Sequence, residues 1–512
     1  MKRQLHLCYT SDTHGHVFPV EYGTNTPSAC GLLNLAAAYH KDGNTLVLDG
    51  GDTLQGTPFS QYYLDHAPQW PFHPIAMGMN AAGYDYVTLG NHDFNYGYNP
   101  LRNYLRALNA QCLCANVQDL RGELPLKATA VTTLANGLRV GLVGIVTDYV
   151  NVWEQPANLT ELKITDAFTA AKEALQILRP ACDICICIYH GGFEKDLETG
   201  RILSDSGENI AVRLCEELGY DLVLTGHQHM PVESVQLGGT HAVQPPAGAG
   251  RYCAITAEEE QGRVQIISQF QPAGSQHPDE PYNTLLPLEE AVQQWLDLPV
   301  GRLSEPVPPE AKLQAALTGS RVAALFNQVQ LAATGADFAC TSLGNEPVGL
   351  VTEVTMRGIT AAYLFPNTLV VLQVTQQDLK EALERCASYF ALQEGQPCIA
   401  EEFLKPKIEH YNYDFYAGLS YTFDLRRPVG QRVVALCRAD GRPLGQGPFR
   451  LCTSNYRATG TGGYEVLSRC KVLWRGTEEM PQLVAEYLQR NTPLPPLAKN
   501  GPVVVWQPGP TV

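Results

Sequence analysis

The chain has 512 residues, more than the roughly 250–300 at which a single core stops growing, so two or more domains are expected. A hydrophobic content of 45% with 17% charged residues is an ordinary globular balance, with enough apolar material for sizeable cores. A net charge of -16 repels polyanions and disfavours a nucleic-acid scaffold, but a small anionic ligand stays open, because bound divalent cations would reverse the local field.

The start, Met1 to Cys8, has two charges and no apolar run behind them, so no signal peptide is expected. No stretch is long and apolar enough to span a membrane. The 15 cysteines are scattered, and several, such as Cys182, Cys185 and Cys187, sit inside apolar runs without zinc-ribbon spacing. They read as buried reduced thiols, and the expected location is cytoplasmic.

The first half repeats one pattern, a short apolar run ending in a polar cluster. Leu5, Leu7 and Tyr9 lead to Asp12 and His14. Leu46 to Leu48 lead to Gly50-Gly51-Asp52. Tyr86 to Leu89 lead to Gly90-Asn91-His92-Asp93. Ile184 to Ile188 lead to His190-Gly191-Gly192, and Leu222 to Leu224 lead to Gly226-His227-Gln228-His229. Such runs predict buried strands. Helical segments at Ala167 to Leu178 and Ile210 to Leu218 lie between them, and the alternation predicts an α/β layered domain over residues 1–275.

Residues 276–304 read as a linker containing a helix, with Leu288, Val292, Trp295 and Leu296 at helical spacing before Pro299 and Gly301. A second domain is expected over 305–512. It opens with a helix carrying Val322, Leu325, Phe326 and Val329. Val370, Leu372 and Val374 alternate as a strand. Thr375 with Asp378 forms a capping pair for a helix carrying Leu379, Leu383 and Cys386. The proline-rich last twenty or so residues are expected to wrap the surface.

Each polar cluster alone has a plain alternative: Asp12, Asp52 and Asn91 as turn residues, His92 as a satisfied surface histidine and His190 as a core imidazole. Five clusters at five strand ends change that, because ligands of open α/β sheets bind beyond the carboxyl ends of the strands. Asp12, His14, Asp52, Asn91, His190, His227 and His229 mix imidazole with oxygen donors and include no thiolate, which suits zinc, manganese, iron, cobalt or nickel. Seven groups exceed one tetrahedral site and fit two divalent ions sharing a carboxylate.

These motifs, in order and spacing, resemble the calcineurin-like metallophosphoesterases, and within them the bacterial 5′-nucleotidase family, over nearly the full length. Gly90 to Gly97, Phe365-Pro366-Asn367-Thr368, Tyr411 to Leu419 and Asn455-Tyr456-Arg457-Ala458 are similar to the 2′,3′-cyclic-nucleotide 2′-phosphodiesterase/3′-nucleotidase branch. The resemblance implies an N-terminal four-layer α/β/β/α metallophosphoesterase sandwich and a C-terminal α+β 5′-nucleotidase domain that binds substrate. It implies that Asp12, His14 and His229 hold one metal, that Asn91, His190 and His227 hold the other, and that Asp52 bridges them. His92 would be catalytic, and Phe365, Asn367 and Tyr456 would bind substrate, the two aromatics stacking on a nucleobase. The implied activity is metal-dependent hydrolysis of nucleotide phosphate esters, with a small-molecule nucleotide as the partner and neither nucleic-acid polymer nor membrane. A general phosphatase or phosphodiesterase, a nucleotide-sugar diphosphate hydrolase, and an idle metal- or nucleotide-binding protein are the competing readings.

The sequence departs from the family in two places. Many 5′-nucleotidases carry an aspartate three residues after the catalytic histidine, where this chain has Asn95, so the partner of His92 is open, with Asp93 the nearest acid. The second domain also lacks the arginine cluster with which 5′-nucleotidases hold a terminal phosphate.

Overall fold

The strand Ile184–His190 is buried along its whole length and has two different faces. Ile184, Ile186 and Ile188 enter a core with Leu5, Leu7, Leu46 and Leu48, whereas Cys185, Cys187 and Tyr189 enter another with Ala171, Leu175 and Leu214. A strand covered on both sides reads as an unbroken apolar run, which is why its sequence shows no alternation. The computed structural model describes residues 2–203, 206–365 and 367–507. The chain divides into two compact units, Met1–Gln293 and Gln294–Val512.

In the first unit the chain runs through β1 (Arg3–Thr10), β2 (Thr45–Asp49), β3 (Tyr86–Val87), β4 (Gln111–Leu113) and β5 (Leu126–Lys127). It continues through β6 (Thr129–Thr133), β7 (Arg139–Val146), β8 (Ile184–His190), β9 (Leu222–Thr225), β10 (Val232–Leu237) and β11 (Thr240–Gln244). The hairpin of β12 (Arg251–Glu260) and β13 (Arg263–Pro272) closes the series. A seven-stranded sheet has the order β13-β12-β1-β2-β3-β4-β5, and a six-stranded sheet has the order β10-β11-β9-β8-β7-β6. Strands β1 to β5 are mutually parallel, as are β7, β8, β9 and β11. The five strands read from the sequence therefore divide between two sheets, as the four-layer α/β/β/α sandwich implies.

Apolar side chains of both sheets meet in one core. Helices Ala167–Leu178 and Ala211–Leu218 cover the other face of the six-stranded sheet. Helices Leu32–Ala38, Pro74–Ala82 and Tyr98–Ala107 pack on one another. Tyr84, just after Pro74–Ala82, ties this helical layer to the seven-stranded sheet through Thr10 Oγ1 at 2.7 Å.

In the second unit a five-stranded sheet has the order β16-β14-β17-β15-β18, with β14 (Phe338–Ser342), β15 (Thr368–Val374), β16 (Asp414–Ala417), β17 (Phe449–Ser454) and β18 (Lys471–Glu479). Val370, Leu372 and Val374 enter its core with Leu379, Leu383 and Cys386 of helix Gln376–Ser388. Thr375 and Asp378 form the capping box expected for that helix. A short helix, Lys312–Thr318, precedes the expected helix at Arg321–Thr334. Pro299–Arg302, read from the sequence as linker, is a strand paired with Glu353–Thr355. Near the C-terminus Val503–Val505 adds to the strand Leu419–Asp424; residues 508–512 of the proline-rich tail lie outside the described residues. Among the described residues no helix is long and apolar enough to cross a membrane.

The two sheets of the first unit approach closely where the Ala115 N–H donates to the Gly144 carbonyl at 2.8 Å. A Cβ on Gly144 would run into the Leu113 carbonyl, a backbone atom that cannot swing aside. Gly144→Ala is therefore expected to destabilise this unit by roughly 1–3 kcal/mol, as overpacking does. A denaturation midpoint equal to that of the wild type would show that the sheets part freely there.

Candidate active site

The polar clusters after β1, β2, β3, β8 and β9 gather at one end of the two sheets. Asp12 accepts from the His227 backbone N–H at 3.0 Å through each carboxylate oxygen. The His92 backbone N–H donates to Asp52 Oδ1 at 2.7 Å, and His190 Nδ1 lies 2.7 Å from the Gly50 carbonyl. These links cross from one sheet to the other and between neighbouring loops.

Two groups of possible metal donors result. Asp12, His14 and His229 form one, and Asp52, His190 and His227 the other; within each, the donor atoms lie within 4.8 Å of one another. His14 Nε2 is 2.9 Å from His229 Nε2, and His229 Nε2 is 3.3 Å from Asp12 Oδ1. His190 Nε2 is 3.3 Å from Asp52 Oδ2. Asn91 joins the second group, its Oδ1 lying 3.2 Å from His190 Nε2 and 2.9 Å from His227 Nδ1. Asp52 also faces the first group, with Oδ2 4.0 Å from His14 Nε2. All seven residues singled out from the sequence are thus brought together.

The donor set fits divalent metals. Imidazole nitrogens and carboxylate oxygens converge there, and their lone pairs would bind a cation. Burial lowers the His14 imidazole to about 3, with His229 adding to the fall, so His14 is neutral as a ligand must be. Burial also opposes charge on His190, but Asp52 outweighs it and raises the imidazole to about 10. A cation there would take the place of that proton. Burial works against charge on Asp52 as well, yet His190 and His92 hold its carboxyl well below the usual range.

The backbone carries strain at the same positions. Asp12, His14, Asp52, His227 and His229 have φ of 56°, 48°, 58°, 73° and 52°. They are five of the nine non-glycine residues with positive φ among the described residues. Positive φ is unfavourable for residues with a Cβ, and it clusters where surroundings over-determine the chain. Gly90 serves the same end differently, since a Cβ there would strike the Asp52 carboxylate.

Asp93, the nearest acid to His92, does not face it. Its carboxylate accepts the backbone N–H groups of Asp52, Thr53, Leu54 and Gly90 at 2.8 to 3.0 Å. It braces the Asp52 loop from behind. The neighbour of His92 is Asn95, whose Oδ1 lies 2.8 Å from His92 Nδ1. Asn95 Nδ2 in turn donates to Glu154 Oε2 at 2.8 Å.

Four supporting residues were not read from the sequence. Asp49 accepts from Thr10 Oγ1 at 2.7 Å and the Gly51 N–H at 3.0 Å, and burial raises its carboxyl to about 7. Glu208 Oε1 is 2.9 Å from His227 Nε2, and Trp153 stacks on that imidazole at 5.1 Å. Glu154 is 8% exposed, and burial raises its carboxyl against the opposing pull of Asn158 and Gln155. Each lies outside a motif. The one available signal was the aspartate after the apolar run Leu46 to Leu48, a strand terminus like the others.

Phe365, Asn367 and Tyr456 lie in the second unit. Phe365 is 38% exposed and meets Tyr411 edge to face at 5.9 Å. The Asn367 N–H donates to the Phe365 carbonyl at 2.8 Å, and Pro366 lies outside the described residues. Tyr456 is half-buried beside Arg457. Arg457 is buried, pairs with Asp414 at 2.9 Å and donates to the carbonyls of Thr461 and Tyr411 at 2.6 and 2.9 Å. That network fixes the turn after Tyr456 and the segment carrying Tyr411.

Two face-to-face sheets with paired imidazole and carboxylate groups at their strand ends define a metal-dependent phosphoesterase. Residues 5–231 match the calcineurin-like phosphoesterases, a family that uses a dimetal centre, and residues 299–469 match the 5′-nucleotidase C-terminal domain. The 2′,3′-cyclic-nucleotide 2′-phosphodiesterase/3′-nucleotidase of Haemophilus influenzae is 24% identical over 492 residues, covering 83% of this chain and 73% of the relative. The trifunctional nucleotide phosphoesterase YfkN of Bacillus subtilis is 24% identical over 488 residues, and the chain spans 33% of its length. A Staphylococcus aureus structure described as a candidate 5′-nucleotidase, in complex with alpha-ketoglutarate, has a TM-score of 0.88 at 29% identity, covering 98% of this chain and 100% of that one.

His92 contributes no atom to either donor group, so His92→Ala is expected to retain the metal content of the wild type. Its turnover should fall by roughly 10²- to 10⁴-fold, the usual contribution of a proton-transferring side chain. Elemental analysis showing one metal lost per chain would contradict this separation.

Proposed function

We propose that the chain hydrolyses nucleotide phosphate esters at a dimetal centre, with 2′,3′-cyclic nucleotides and 3′-nucleotides as its substrate class. The observation that carries the reading is the meeting of two donor groups at one end of the sheets, with Asp52 facing both. The relatives named for cyclic-nucleotide and 3′-nucleotide hydrolysis support the substrate class.

Asp12, His14 and His229 would hold one divalent ion. Asn91, His190 and His227 would hold the other, and Asp52 would be shared. When bound, such a pair polarises a phosphoryl oxygen and makes water a nucleophile near neutral pH. The water oxygen joins phosphorus, the ester P–O bond breaks, and the departing oxygen takes the Nε2 proton of His92 in its doubly protonated form, which leaves the ring neutral with its remaining proton on Nδ1. His92 Nδ1 is engaged by Asn95, which leaves Nε2 for that transfer.

The metal donors recognise phosphate, so selectivity for a nucleotide needs a second feature. Phe365 and Tyr456 would stack on the nucleobase, with Asn367 beside them. A stacked base is worth about 1–3 kcal/mol and tolerates any base. The exposure of Phe365 supports this, since an aromatic ring held in a core would be covered. A cytoplasmic location belongs to the same proposal and is supported by 15 free thiols, 11 of them buried.

Chelation is expected to abolish hydrolysis of a chromogenic phosphodiester, with recovery on adding back divalent ions. Asp52→Asn should damage activity more than any other single ligand change, since it weakens both groups. Full activity after chelation, or Asp52→Asn matching the wild type, would sink the dimetal reading.

Phe365→Ala and Tyr456→Ala are expected to raise KM for nucleotides roughly 5- to 150-fold, the equivalent of about 1–3 kcal/mol. Hydrolysis of a small base-free phosphodiester should barely change. Equal losses on both substrates would mean that the rings serve folding instead.

A further inference from the structure

His92 is backed by a short chain of hydrogen bonds that ends on a buried carboxylate. Asn95 stands between the two, with Oδ1 2.8 Å from His92 Nδ1 and Nδ2 2.8 Å from Glu154 Oε2. The other Glu154 oxygen, Oε1, accepts the Gln155 backbone N–H at 2.7 Å and Asn158 Nδ2 at 2.8 Å. Asn158 Nδ2 also donates to the Asn95 carbonyl at 2.8 Å, so the same side chain steadies the Asn95 backbone.

An asparagine amide has a donor end and an acceptor end, and by itself it fits either way round. An ionised carboxylate only accepts. Glu154 therefore admits the NH₂ end of Asn95 and turns the carbonyl toward His92. A carbonyl also only accepts, so His92 Nδ1 must carry a proton, and Nε2 is the nitrogen open to substrate. All three partners of Glu154 are N–H groups, and their hydrogen bonds favour the ionised carboxylate against the burial that opposes it.

We propose that Glu154 is a positioning residue that sets the orientation of the Asn95 amide and, through it, which ring nitrogen of His92 bears the proton. A negative charge behind the histidine is thereby kept, but one residue further back, with a neutral amide as the spacer. The proposal rests on the reading of His92 as the substrate-facing group.

The near-isosteric change Glu154→Gln makes a sharp demand. The Gln155 backbone N–H cannot turn round, so the oxygen of the substituted side chain must stay on that side and its NH₂ must face Asn95. Two NH₂ groups cannot face each other, so the Asn95 amide flips and presents its own NH₂ to His92 Nδ1. That nitrogen then becomes an acceptor and the proton moves to Nε2. In the double variant Asn95→Asp with Glu154→Gln, the new carboxylate accepts from the new amide and from His92 Nδ1–H alike, and the original tautomer returns. Asn95→Asp alone sets two carboxylates against each other and is expected to be impaired.

The measurement is ¹⁵N NMR of histidine-labelled, zinc-loaded enzyme, with the His92 signals identified by their loss in His92→Ala. In the neutral ring, the wild type and the double variant are expected to show His92 protonated at Nδ1, and Glu154→Gln at Nε2. Because an NH₂ group facing Nδ1 disfavours the doubly protonated ring that gives up the Nε2 proton, kcat should fall roughly 10- to 100-fold in Glu154→Gln, with KM nearly unchanged, and recover in the double variant. An Nδ1-protonated ring in Glu154→Gln overturns the proposal, as does a double variant that keeps the inverted tautomer. An inverted tautomer with undiminished kcat upholds the positioning role and instead refutes His92 as the proton donor.

Discussion

The constraint on which the first unit depends is the crowding of buried imidazole and carboxylate groups. His14 and His229 face each other nitrogen to nitrogen at 2.9 Å, and Asn91 Oδ1 sits between two further imidazoles. Asp12, Asp52 and His190 are almost fully buried. Burying so many polar groups costs more than their mutual contacts return, so the surrounding structure has to hold the cluster. Parallel strands of two sheets deliver the residues, and the apolar core between the sheets supplies the burial that offsets the crowding. The five positive φ angles mark where the chain is bent to aim these side chains.

Around the cluster, carboxylates do two different kinds of work. Asp12 and Asp52 face the candidate metal positions. Asp93 faces away and collects four backbone N–H groups, which fixes the Asp52 loop against the Gly90 turn. Asp49 does the same at the foot of that loop. Glu208 and Glu154 act one layer out, the first on His227 and the second on Asn95. Trp153 and Glu154 are adjacent in sequence, so one short stretch after β7 reaches both His227 and the partner of His92. A change in that stretch would be felt at a metal donor and at the substrate-facing histidine together.

The second unit uses a comparable device on a smaller scale. Arg457 and Asp414 are both 2% exposed and pair within the protein. A buried ion pair is a weak source of net stability but fixes geometry firmly when its hydrogen bonds are satisfied. Here the guanidinium also takes the carbonyls of Thr461 and Tyr411, so the glycine-rich turn after Tyr456 and the segment bearing Tyr411 share one anchor. Phe365 rests on Tyr411 and is thereby coupled to the same anchor.

The sequence by itself determined the pattern of apolar run followed by polar cluster, and with it all seven residues of the two donor groups. This was legible because strand length, glycine punctuation and ligand chemistry are local properties. The capping box at Thr375 and Asp378 was legible for the same reason. Only the tertiary structure decided which of the five strands falls in which of the two sheets, because a fully buried strand carries no mark of which neighbour covers it. It decided, too, that Asp93 turns to the backbone while Asn95 turns to His92, since adjacent carboxylate and amide side chains differ there only in direction. Asp49, Trp153, Glu154 and Glu208 act through contacts between loops that are distant or irregular in sequence. A hydrogen bond across 59 residues, such as that from Asn95 to Glu154, has no period for a sequence to display.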